Sequence, residues 1–271
     1  MTHIPCIFGI LNITTDSFSD GGAYLDSEKA LEQARTLHAG GAEVIDIGPA
    51  SSHPDSTPVS AQTEIDRLTT IVPALKALNI PISIDSYQTQ TQRWALQQNV
   101  DWMNDIHGFA DPALYSDLAA SDCRLVVMHA IQSAGAATRT APPAGDIFDH
   151  ICRFFDTRLT ELMKAGIDQT RIVIDPGMGF FLGDTPEPSL TMLARIDELK
   201  KIFGLPILVS VSRKSFLRAL SGRSVEDSAP VTLAAELWAA AKGVDYIRTH
   251  DPSQLSDALK IKGHLSGFVK K

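Results

Sequence analysis

The chain has 271 residues, 44% of them hydrophobic and 21% charged, a balance that supports a large buried core and excludes a disordered chain. Its formal net charge of −8 opposes approach to nucleic acid or to an anionic membrane surface, so neither is expected as a partner and a small molecule is. The three cysteines, Cys6, Cys123 and Cys152, have no CxxC spacing, no basic-then-apolar leader opens the sequence, and no run nears the ~18 apolar residues of a membrane span, so a soluble protein of the reducing cytoplasm is expected.

In chain order, Val- and Ile-rich apolar runs fall at residues 4–11, 43–48, 81–85, 101–105, 124–129, 171–175, 206–211 and 245–250. Helix-period segments lie between them at 27–39, 63–78, 89–98, 149–165, 189–203 and 231–242. Several of these helices run into a glycine that signals a C-terminal cap, at Gly40, Gly166, Gly204 and Gly243. Strand and helix alternating along the chain predict an α/β fold with a parallel sheet, and eight strands are the number that closes a (β/α)8 TIM barrel of ~250 residues. A single domain over residues 1–271 is expected. A doubly wound open sheet shares the alternation, but no GxGxxG opens a helix and no Walker A motif occurs.

Polar residues stand at nearly every strand end: Asn12, then Asp46 with the loop Ser51, Ser52 and His53, Asp85, Asn104 with Asp105, His129, Asp175, Ser212 with Arg213 and Lys214, and Arg248 with His250. Any one of them can be a turn former or a helix cap. A barrel brings all the strand C-termini to one mouth, which turns scattered residues into one constellation. Asp85, Asn104 and Asp175 are acceptors for a planar, donor-rich ring edge such as a pterin carries. Arg213, Lys214, Arg248 and His250 supply positive charge and donors for phosphate oxygens. The histidines are dispersed and form no zinc motif, while Asn12 is a possible ligand for Mg²⁺ shared with a phosphate.

Four segments in order carry a family resemblance. Residues 9–22, Gly-Ile-Leu-Asn-Ile-Thr-Thr-Asp-Ser-Phe-Ser-Asp-Gly-Gly, resemble the first signature of dihydropteroate synthases, and residues 174–180, Ile-Asp-Pro-Gly-Met-Gly-Phe, resemble their strand-six motif. Residues 212–215, Ser-Arg-Lys-Ser, and 248–251, Arg-Thr-His-Asp, complete the set, and the likeness spans about residues 4 to 262. The resemblance implies an enzyme of folate biosynthesis that condenses 6-hydroxymethyl-7,8-dihydropterin pyrophosphate with p-aminobenzoate and releases pyrophosphate, with Mg²⁺ as cofactor and a homodimer as the assembly. It further implies that Asp85, Asn104, Asp175 and Lys214 hold the pterin, with Asp85, Asp175 and Lys214 the catalytic set. Asn12, Arg248 and His250 would bind pyrophosphate, Asn12 being the metal ligand, and Ser212 with Lys214 would position p-aminobenzoate. The polar segments 14–22 and 49–60 read as lids over the mouth.

Two departures narrow the resemblance. Residues 50–54 read Ala-Ser-Ser-His-Pro where many members have Glu-Ser-Thr-Arg-Pro, and residues 180–183 read Phe-Phe-Leu-Gly where Gly-Phe-Gly-Lys is common. Both resemble the mobile-element-borne, sulfonamide-resistant branch. Sulfonamides imitate p-aminobenzoate but are bulkier beyond the sulfonyl, so Ser52, Phe180 and Phe181 are expected on the aryl side, with the phenylalanines excluding the drug. Packing under the loop is the competing reading for Phe181. Within the tract 133–145, Arg139 is placed to reach an anion, with a solvated loop charge as the expected reading. Alternative functions are a pterin-dependent methyltransferase, a Schiff-base enzyme using Lys214, and a pterin-binding paralogue without catalysis.

Overall fold

In the computed structural model, which describes residues 3–14 and 23–269, eight parallel strands curl into a TIM barrel with helices on its outside. The strands are β1 Cys6–Asn12, β2 Val44–Gly48, β3 Ile82–Asp85, β4 Trp102–Asp105, β5 Arg124–Met128, β6 Ile172–Asp175, β7 Leu208–Val209 and β8 Tyr246–Thr249. Hydrogen-bonded neighbours run in the order β6-β5-β4-β3-β2-β1-β8-β7, and a parallel bridge between Ile174 and Ile207 closes the last seam.

The helices are α1 Ala23–Ala39, α2 Ala61–Ala77, α3 Thr89–Gln97, α4 Tyr115–Ala119, α5 Ile147–Lys164, α6 Glu187–Ala194, α7 Ile196–Phe203, α8 Ser215–Ser221, α9 Ala229–Ala241 and α10 Pro252–Val269. Their starts have local causes: the Ser60 hydroxyl accepts from Thr63 N at 3.1 Å to cap α2, and the Asp146 carboxylate accepts from Phe148 N at 2.9 Å to cap α5. The expected terminal glycines Gly166, Gly204 and Gly243 do lie past α5, α7 and α9, all at positive φ.

Strand side chains alternate between two faces, and this sorts the whole sequence. One set, including Ile45, Ile47, Ile82, Ile84, Ile172 and Ile174, joins the large core under the helices. Each such buried aliphatic contributes roughly 1.5–3 kcal/mol relative to exposure. The other set starts at the barrel floor with Phe8, Val44, Trp102, Val126, Val173 and Leu208, where Phe8 packs edge-on to Trp102 at 5.1 Å between ring centres. Two residues further along those strands come Ile10, Asp46, Asn104, Met128, Asp175 and Ser210, and on β3 and β8 the corresponding places belong to Asp85 and Arg248. Apolar floor and polar upper interior are therefore one period-2 pattern read at two heights.

Several expectations are corrected. The run at 206–211 contributes only two ladder residues, and the segment 189–203 is two helices that part at Arg195, whose ψ of 13° leaves the helical region. Helices α4, α8 and α10 were not expected. Of the first lid, residues 15–22 lie outside the described residues.

Candidate active site

The upper interior opens into a cleft of about 330 Å³ at the strand C-termini, with a small inner chamber beneath it. Asp85, Asn104, Asp175, Lys214 and Arg248 surround the chamber. Met128, Met178 and Ile106 add apolar walls among these polar groups.

Arg248 organises it. Its Nε donates to Asp46 Oδ2 and one terminal N–H donates to Asp85 Oδ2 at 2.7 Å, a bridge between two carboxylates inside the barrel. These partners raise its pKa further above the ordinary guanidinium range, against the opposing effect of burial, so it is always charged. The Asp85 carboxyl is pushed up to about 7, chiefly by burial, with Arg248 pulling it down and Asp46 pushing it up. Asp175 rises to about 6 for the same first reason, opposed by the Gly177 N–H that its Oδ1 accepts at 2.8 Å. Lys214, at the N-cap of α8, is lowered to about 8 by burial and by Arg248, while Asp175 and Asp85 hold it up. Its Nζ lies 4.8 Å from the centre of the Phe181 ring. Asn104 is 3% exposed and its Oδ1 has no protein partner among the described residues, leaving an acceptor for a ligand donor.

Above the chamber, Asn12, Ser212, Arg213 and His250 line the wider cleft. His250 was expected to add positive charge. Burial, with Arg213, Arg248 and Lys214 nearby, lowers its pKa to about 3, so at neutral pH it is a neutral donor and the positive charge comes from Lys214 and the arginines. Ser212 Oγ accepts from His250 N at 3.2 Å and sits 2.9 Å from Nδ1; a hydroxyl proton pointing to Nδ1 leaves the Nε2–H to donate. Two other strand-end residues face away from the cleft: Asp105 accepts from Gln92 Nε2 and His107 N, each at 2.7 Å, and His129 packs against α5.

The aryl-side residues form the rim. Ser52 and both phenylalanines line the cleft, and Phe181 also reaches the inner chamber. Phe181 is 5% exposed, packed with Ile106 and Met128, so it is both wall and core. Phe180 is more exposed and is held from two sides, edge-on by the His53 ring at 5.9 Å and by the Arg139 guanidinium 5.4 Å from its centre. Arg139 is the solvent-exposed charge expected, and it also has a partner: it grips Asp55 with two hydrogen bonds, both 2.5 Å, and Ala137 N donates to Ser52 O at 3.1 Å, stitching the loop after β5 to the loop after β2. Ser210 and Ser215, not anticipated, line the cleft beside Ser212.

Two roles escaped sequence reasoning. Asp46 had a readable signal, since an acid inside an apolar strand demands a partner. Arg139 had none, because its partner is 84 residues away in another loop.

As to a metal, Asn12 offers one neutral oxygen at the cleft wall, and among the described residues no three of His, Cys, Asp and Glu gather as a metal cage. That donor set fits Mg²⁺ shared with substrate phosphates and not a caged ion.

Residues 8–250 match the family described as pterin binding enzyme. The chain belongs to that family. Among its relatives is the dihydropteroate synthase type-2 of Escherichia coli, 59% identical over 255 residues and 94% of each chain. Two similar solved structures are Xanthomonas albilineans dihydropteroate synthases. One, with 4-aminobenzoic acid, is 31% identical with a TM-score of 0.89 over 97% of this chain and 93% of that one. The other, in complex with 7,8-dihydropteroate, is 29% identical with a TM-score of 0.85 over 98% and 95%. No helix among the described residues is long and apolar enough to cross a membrane.

Proposed function

We propose that this pterin-binding barrel is a dihydropteroate synthase, a transferase that joins 6-hydroxymethyl-7,8-dihydropterin pyrophosphate to p-aminobenzoate, and that it is a sulfonamide-insensitive form conferring resistance. The observation that carries the reading is the meeting, in one chamber, of the acceptors Asp85, Asn104 and Asp175 with the cations Lys214 and Arg248. The acceptors suit the amidine-like edge of a pterin; the cations lie where the cleft widens toward Asn12 and His250.

In this scheme the bond between the pterin methylene and the pyrophosphate oxygen breaks first. Its electron pair leaves with the pyrophosphate, where Arg248 and the His250 N–H meet the growing negative charge. Ionised Asp85 opposes the positive charge left on the pterin. The p-aminobenzoate lone pair then attacks the methylene carbon and the nitrogen sheds a proton; a neutral arylamine is a competent nucleophile, so a strong base is unnecessary. Mg²⁺, held by Asn12 and the pyrophosphate oxygens, would neutralise part of the phosphate charge. Ser212 and Lys214 position the aryl substrate.

Phe180 and Phe181 line the cleft beside Ser52; in this reading their rings exclude the heterocycle of a sulfonamide while sparing the smaller p-aminobenzoate. The enzyme acts as one domain, in the cytoplasm and as a homodimer. Pyrophosphate release with both substrates, run with and without a sulfonamide beside a drug-sensitive relative, tests the reading. Release that persists at drug concentrations silencing the relative supports it, whereas no release refutes the synthase and equal inhibition refutes the resistance.

A further inference from the structure

Strands β5 and β6 end side by side, with Met128 in register with Asp175, and the residue that follows β5 is His129. Alternation turns its side chain out of the barrel, so it lines neither the cleft nor the chamber. It is nonetheless fully buried, packed between His150 and Phe154 of α5 at 5.3 and 5.1 Å between ring centres.

Two of its groups reach the turn that carries Asp175. The His129 N–H donates to Asp175 O at 2.8 Å, and ring Nδ1 lies 3.1 Å from Pro176 O. A carbonyl can only accept, so Nδ1 carries the proton. Nε2 has no protein partner among the described residues, and burial followed by the nearby His150 keeps the ring neutral. The Pro176 carbonyl and the Gly177 N–H are opposite ends of one planar amide. His129 holds the carbonyl end; Asp175 Oδ1 accepts from the N–H end at 2.8 Å. Gly177 has φ 76°, and a Cβ there would run into His129 O, so the turn admits only glycine and has little intrinsic resistance to rotation of that amide.

We infer that His129 is a positioning residue for the pterin site: its Nδ1–H locks the Pro176–Gly177 amide, whose N–H in turn aims the Asp175 carboxylate into the chamber. The inference rests on the reading above, in which Asp175 receives the pterin. Losing the lock frees the amide to flip, which withdraws the N–H from Asp175 without altering any group that touches p-aminobenzoate.

Asparagine places an N–H close to where Nδ1 stands, while glutamine places it nearer the Nε2 position. His129→Gln is expected to raise KM for the pterin pyrophosphate about tenfold, the size of one lost oriented hydrogen bond, with KM for p-aminobenzoate unchanged within twofold. His129→Asn is expected to recover most of the loss. Equal impairment of both variants, or a matching rise for p-aminobenzoate, overturns the inference, whereas a wild-type enzyme that releases no pyrophosphate overturns the functional reading instead. Should either variant fail to fold, nitrogen-15 NMR of the wild-type imidazoles decides: a neutral Nδ1–H tautomer from about pH 5 to 8 is expected, and an Nε2–H tautomer overturns it.

Discussion

Arg248 donates to Asp85 at 2.7 Å while Asp46 holds its other edge, so a single guanidinium answers two acids inside the barrel and still faces the cleft. It lowers the pKa of Asp85 and that of Lys214 together. In the proposed function pterin binding needs Asp85 ionised and Lys214 protonated, so kcat/KM for the pterin substrate should trace a bell whose limbs lie near about 7 and about 8. In Arg248→Met both limbs should move to higher pH and the maximum should fall. The variant also strands Asp46, at a cost of about 3–5 kcal/mol, so its urea midpoint is measured alongside. Limbs that stay in place would separate Arg248 from the ionisation of the site.

Phe180 and Phe181 should part company under truncation. Phe180→Ala removes a half-exposed rim ring and should lower the sulfonamide Ki by at least about tenfold with little change in KM for p-aminobenzoate. Phe181→Ala opens the packing with Ile106 and Met128 and should also cost about 3–5 kcal/mol in denaturant unfolding. An unchanged Ki in both variants would leave the resistance reading without its residues.

Arg139 braces Phe180 from outside the cleft through Asp55. Arg139→Ala should leave kcat intact and lower the sulfonamide Ki about two- to fivefold, the scale of an exposed cation–π contact. Because the ion pair is solvent-exposed, high salt should shrink the difference between wild type and variant. Inhibition curves at two salt concentrations check both parts.

Glu236 on α9 is 2% exposed, and burial above all lifts its pKa to about 7. The native state therefore binds a proton that the unfolded chain has already released between the ordinary carboxylate value of 4.5 and about 7. Its contribution is fully present below that window and is lost as pH rises through it, up to roughly 3 kcal/mol. Glu236→Gln should raise the thermal midpoint at pH 8 more than at pH 5. A pH-independent difference would show that the carboxyl is already ionised in the fold.

The barrel was legible because eight apolar runs differ in period from the helices between them, a property of each local segment. That Asp85, Asn104 and Asp175 would meet at one mouth was legible for the same reason, since they fall at or next to the ends of such runs. What stayed hidden depended on distant partners. That Arg248 also bridges two buried acids cannot be read until β8 is known to lie next to β1 and within reach of Asp46, 202 residues earlier. The charge of His250 was misjudged because burial, not residue type, fixes its protonation. Arg195 divides the segment 189–203 while its guanidinium sits 3.8 Å over Phe148 and pairs with Asp146, a tertiary demand that no helical period announces.

The period-2 division of the strands has a practical corollary for inhibitor chemistry. On the proposed reading, selectivity against sulfonamides resides in loop side chains at the rim, outside the sheet. Asp85, Asn104 and Asp175 project into the chamber from strands whose opposite faces are anchored under the helices, and in the proposed function each serves the substrate itself. A compound that draws its affinity from those three acceptors, and stops short of Phe180, would leave this enzyme no loop to change in its defence.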